Sequence, residues 1–118
     1  MIPKFRAYNP ATNNWYNSDE VFVCDGKIYL NDDDFEDLIQ NNDVELMQST
    51  GLFDINGKEI FEGDIVRMHS GELLPVKLHH GMFEPVCYYA SRAFGRVGNV
   101  FENPELLEHP DFREVNNE

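Results

Sequence analysis

The stretch 49–66, STGLFDINGKEIFEGDIV, holds a turn signal, a short charged hairpin and the start of an apolar strand. Two readings compete for it. A calcium loop beginning at Asp54 needs glycine at its sixth position and a bidentate glutamate at its twelfth. Glycine stands fourth, as Gly57, and the twelfth residue is Ile65, so the loop fails on both counts. As architecture, every residue has a use. Gly51, Gly57 and Gly63 supply turn conformations, while Ile55, Ile60, Ile65 and Val66 are expected to fill a core.

The same punctuation runs outward in both directions. Upstream, KFRAYN (4–9) and WYN (15–17) are short strands around a Pro/Asn turn, and EVFVC (20–24) meets KIYL (27–30) across Asp25–Gly26. An Asp-Gly pair between β-rich runs signals a two-residue hairpin. The run NDDDFEDLIQNND (31–43) is the helix candidate, capped by Asn31, Asp32 or Asp33, with Phe35, Leu38 and Ile39 as its apolar stripe. VELMQS (44–49) reads as a strand. Downstream, IVRMHS, LLPVKLHH and FEPVCYYA read as strands with turns at 71–72 and 81–82. Pro75 and Pro85 should mark edges, bulges or strand starts, because proline donates no ladder hydrogen bond. SRAFGRVG (91–98) reads as a loop, NVFENPELL as a last strand and turn, and 108–118 as a polar tail. Turn signals every eight to twelve residues suit a small barrel or sandwich.

Composition narrows the function. A chain of 118 residues makes one compact unit, or two small lobes around a shared core. Its nine Phe, five Tyr and one Trp argue for an ordered globule against a disordered acidic tail. The net charge is −13, and segment 19–45 alone, with ten acids against Lys27, carries −9 of it. Such a field repels phosphate backbones, which disfavours direct nucleic-acid binding. It leaves open whether the acidic stretch is a solvated face or an acidic mimic of nucleic acid that blocks DNA- or RNA-binding proteins. Cys24 and Cys87 lie in apolar runs without metal-ligand spacing and are expected to be buried, reduced thiols. With no membrane-length apolar run or leader pattern, a cytoplasmic protein without a membrane partner is expected.

The ordered set LMQSTGLFDINGKEIFEGDIV, KFRAYNPATNNWY, VKLHHGMFEPV and VGNVFENPELL resembles the YopX family of small phage and prophage proteins, over residues 4 to about 107. The resemblance implies a mainly β (α+β) fold in two parts. Residues 1–48 would form a β-rich subdomain with a short helix near 33–40. Residues 49–118 would form an SH3-like barrel subdomain ending in the polar tail. No catalytic residue and no cofactor comes with it, and the family's molecular role is undefined.

Other chemical readings are weaker. Adjacent histidines on a strand, His79 and His80, face opposite sides and share an ion with difficulty. Consecutive aspartates at 32–34 point in different directions and make no single oxygen cage. Neither a nucleophile elbow nor a phosphate loop is present. The segment 85–101 carries two arginines and no acid, so it is locally basic. There Tyr88, Tyr89, Arg92, Phe94 and Arg96 are the candidate binding residues, because aromatic faces and guanidinium groups together suit an acidic peptide or stacked bases. The expected activity is therefore non-catalytic binding of an unidentified protein partner. Homo-oligomerisation is compatible with edges managed by proline.

Overall fold

The computed structural model describes residues 3–31 and 38–113, and its architecture is mainly β. The chain divides into two compact units, 1–49 and 50–118. Each has its own apolar cluster, so the single shared interior expected from chain length is replaced by two small ones.

In the first unit, β1 (Phe5–Asn9) pairs antiparallel with β2 (Asn14–Tyr16) and with the opening of β6 (Glu45–Phe53). Asn9 organises the β1–β2 turn by accepting from the Thr12 and Asn13 N–H groups through its carbonyl and from Ala11 through its side chain. Tyr8 closes it, donating to Asn13 Oδ1 at 2.6 Å while its ring packs on Trp15. A second sheet has the order β3 (Val21–Cys24), β4 (Lys27–Asn31), β5 (Leu38–Gln40). The Asp25–Gly26 turn is the tight reversal its sequence signals. Cys24 faces Lys27, and both turn residues have positive φ, 53° and 74°. That left-handed pair is the I′ geometry, which glycine enters without a Cβ penalty. Ala7, Val21, Leu30 and Val44 form the core, with Phe5, Tyr16, Ile28 and Leu46 packed around it.

The helix expected near 33–40 is corrected where it can be described. Leu38–Gln40 is a strand whose register with β4 sets Leu30 opposite Ile39. Residues 32–37 lie outside the described residues. The Asn42 side chain accepts from Ile28 N–H and donates to the Gly26 carbonyl, locking the hairpin from its flank. Cys24, expected inside, is exposed beside the hairpin turn.

The second unit begins within β6, which runs on to Phe53 beyond the expected end at Ser49, with Gly51 at φ 75° inside the strand. β7 (Glu59–Phe61) neighbours β6. The central sheet is β12 (Phe94–Asn99), β8 (Asp64–Met68), β9 (Leu73–Pro75), and β10 (Lys77–His79) pairs with β11 (Met82–Glu84) as a hairpin. Ile60, Val66, Met68, Val76, Val86 and Phe94 are the core. Ile55, expected among them, stands 61% exposed at the turn. Pro75 ends β9 at the sheet edge, and Pro85 follows β11 at the start of a 3₁₀ turn, positions that need no ladder donor.

Three segments differ from the sequence reading. Residues 86–88 and 91–93 form 3₁₀ turns where a strand and a loop are expected. The loop expected at 91–98 is mostly strand, because alternate residues Phe94 and Arg96 find partners on β8. The polar tail also returns to the sheet. Leu73 N–H donates to the Asp111 carbonyl, and Arg113 N–H to the Leu73 carbonyl, which covers the β9 edge.

Beyond a register shift between Arg96 and Gly98, β12 closes on an Asn-centred turn. The buried Asn99 side chain accepts from Phe101 and Glu102 N–H, while Asn103 Oδ1 accepts from Asn99 N–H. A Cβ at Gly98 would fall on the Asn103 side chain. Gly98→Ala should therefore cost about 1–3 kcal/mol in denaturant unfolding. Combining it with Asn103→Ala should cost less than the two single changes added, because the two closest contacts, to Asn103 Oδ1 and Cγ, disappear with the amide.

Candidate functional site

The segment between β11 and β12 is clamped at both ends by core residues, Val86 at 0% and Phe94 at 2% exposure. What lies between is forced outward by two successive 3₁₀ turns. Tyr88 and Tyr89 are more than half exposed, and Arg92 projects from the second turn. Arg92 makes no hydrogen bond or ion pair within the described residues. Tyr88 keeps a solvent-facing ring, but its hydroxyl donates to Glu84 Oε2 at 2.6 Å. That bond to a carboxylate, with burial and the Glu84 charge adding to it, pushes the phenol up to about 12.

The five candidates thus divide. Tyr88, Tyr89 and Arg92 form an outward group. Phe94 is a core residue and offers no face for stacking. Arg96 lines the same shallow cleft as Arg92, about 310 Å³ with Ile55, Arg67 and Val97 on its walls. Its guanidinium, however, is engaged: Nε donates to Asp64 Oδ1 at 3.0 Å.

Arg96 belongs to a buried polar network that the sequence reading missed. Asp54, 3% exposed, accepts three backbone N–H bonds. Oδ1 takes Asn56 at 2.9 Å and Lys58 at 2.8 Å within the turn, and Oδ2 takes Arg96 at 2.7 Å from β12. Burial pushes the Asp54 carboxyl up, but the donors from Arg96, Lys58 and Asn56, with the Lys58 charge, together hold it below 3.8. Asp64, wholly buried, accepts from Phe61 N–H at 2.8 Å and pairs with Arg96. Both carboxylates stand in the opening stretch, where an Asp three residues before Gly57 and another just after Gly63 were legible as turn-capping side chains. Their meeting at Arg96 was not legible, because it joins residues 32 and 42 positions apart.

His79 and His80 do not face opposite ways. His80 enters the turn at φ 50°, bringing the two rings to 3.9 Å between centroids. No group of three or more His, Cys, Asp or Glu among the described residues is placed to hold a metal ion. Burial, then the Glu84 charge, pushes the half-buried Cys87 thiol up, opposite to an activated nucleophile. The acidic run 32–37, on which the cation reading draws, lies outside the described residues, as does that part of the 19–45 stretch on which the mimic reading draws. No helix among the described residues is long and apolar enough to cross a membrane.

A two-unit β protein with turn-capping aspartates and a clamped aromatic–arginine segment is the class that this geometry defines. The family model described as YopX protein matches residues 4–108, and the chain belongs to that family. Its fold is similar to that of a solved protein, EF1440 from Enterococcus faecalis, at 25% identity and a TM-score of 0.65, covering 91% of this chain and 99% of that one. The chain has no match among curated proteins.

Two tests follow from the network. Asp54→Asn turns an amide donor toward an N–H and should cost about 2–3 kcal/mol at neutral pH. The folded-state pKa is depressed, so Asp54's contribution is present above 3.8 and is lost as pH falls through the lower folded value. Unfolding followed from pH 6 to 2 should therefore show the variant and native curves converging. Arg96→Ala, which strips a buried carboxylate of its cation, should cost about 2–4 kcal/mol, against about 0.5 kcal/mol or less for Arg92→Ala in the same denaturation assay.

Proposed function

We propose that this chain is a non-catalytic accessory protein of phage or prophage type, a small protein-binding module working in the cytoplasm of the bacterial host. Its second unit is read as an SH3-like barrel, an architecture in which loops between strands carry recognition and the strands hold them still. The observation that carries this reading is Arg92. A guanidinium is costly to immobilise and is usually paired in a chain so rich in carboxylates, yet here it stands exposed and uncommitted beside two exposed tyrosines. Tyrosine and arginine are enriched among the residues that anchor protein interfaces, tyrosine for its large amphipathic contact area and arginine for its planar fork of donors. Phe94 and Arg96 act in this reading as the support that fixes the segment, and Tyr88, Tyr89 and Arg92 as the contact.

The test is quantitative capture from phage-infected or lysogenic cells with the full chain as bait. The Tyr88→Ala/Arg92→Ala double variant removes exposed contact atoms and should keep the native thermal transition. It should lose at least about tenfold of a specific partner retained by the native chain. Undiminished capture of every partner by the folded variant would remove the segment from the function.

A further inference from the structure

A second cleft shares Met68, His69 and Ala93 with the first. Its cavity volume is about 400 Å³, and Met68, His69, Ser70, Glu72, Leu74, Tyr89 and Ala93 line it. The floor is apolar: Met68 is buried, and Leu74 and Ala93 are half-buried against the core. One wall is the exposed Tyr89 ring, and the rim carries the Glu72 carboxylate with Ser70 Oγ 3.4 Å from its Oε1. Glu72 forms no ion pair within the described residues. Arg67 and Arg113, which line a neighbouring pocket together with Glu72, are committed elsewhere: Arg67 to Asp111 and the Gly71 carbonyl, Arg113 to the Pro110 and Phe112 carbonyls.

The geometry points to a receptor for one arginine side chain of a protein partner, an inference that rests on the protein-binding reading above and specifies what that partner presents. An arginine has an aliphatic stem for the Met68–Leu74 floor, a planar cation to lie against the Tyr89 ring, and a forked donor edge for the Glu72 carboxylate. Lysine meets the charge but not the fork or the stacking plane. The Glu72 carboxylate, without an ion pair among the described residues, supplies the charge complementary to such a cation.

The test titrates the full, isotope-labelled chain with a short capped peptide containing one arginine, followed by amide shifts. Saturable shifts confined to residues 68–74 and 89–93 are expected. The same peptide with citrulline, which keeps shape and loses charge, should bind at least about tenfold more weakly, as should the native peptide to Glu72→Gln or Tyr89→Leu. Equal binding of arginine and citrulline peptides, or shifts centred on Gly95–Val97 instead, would overturn the assignment. Raising salt should weaken the arginine peptide and leave the citrulline peptide nearly unmoved. Loss of partner capture in Tyr88→Ala/Arg92→Ala with this titration unchanged, or the reverse, separates the failure of one reading from that of the other.

Discussion

The Asp54 carboxylate is the constraint on which the second unit depends. Two of its hydrogen bonds are local and shape the 54–58 reversal, and the third reaches β12. A charged acceptor buried this deeply is tolerable only because backbone donors replace the water it gave up. Local turn chemistry is thereby tied to a strand that follows forty residues later. Ile55 N–H donating to the Phe94 carbonyl runs alongside the same tie.

Asp64 repeats the arrangement one turn on. It caps Phe61 N–H, and its remaining oxygen meets Arg96 from the strand already held by Asp54. The two aspartates therefore hold one residue by two different groups, its backbone N–H and its guanidinium. Charge pairing inside a small core is not in itself strongly stabilising, because desolvation offsets most of the attraction. Its effect is on register. A slip of β12 by one residue would remove the Arg96 side chain from Asp64 and leave two buried carboxylates short of donors. Phe94 is placed in the core by the same register, and the outward 88–93 segment is placed by Phe94. The recognition surface proposed for this protein thus inherits its position from two turn-capping side chains.

The family resemblance and the fold agree on where the strong signals lie. Residues 50–64 supply both aspartates, and VGNVFENPELL supplies the Asn99 turn that closes β12 and the glycine that Asn103 overlies. The conspicuous polar residues of these motifs are occupied inside the unit. Arg92, without a hydrogen bond or ion pair among the described residues, Glu72, without an ion pair among them, and the exposed Tyr89 ring lie between the motifs. An architecture held by local turn chemistry can present contacts in such intervals without altering its core.

Turns were legible in the sequence because their causes are local. Asp25–Gly26, Asn56–Gly57 and Gly63–Asp64 specify backbone conformation within two to four residues, and each is a reversal in the structure. The strand at 65–68 was legible for a similar reason, since Ile65, Val66 and Met68 form a short apolar run between turn signals, and all three are buried on β8. The assignments that failed needed partners far along the chain. Phe94 and Arg96 read as loop residues until β8 and the aspartates stand beside them. Leu38 and Ile39 fit a helical stripe until β4 offers them a ladder, and the tail reads as polar excess until Leu73 hydrogen-bonds it. Which of five aromatic and basic candidates faces outward was likewise a tertiary decision. Periodicity proposes which side of a strand is greasy, but only the packed neighbours determine whether a ring is buried and whether a guanidinium already has its carboxylate.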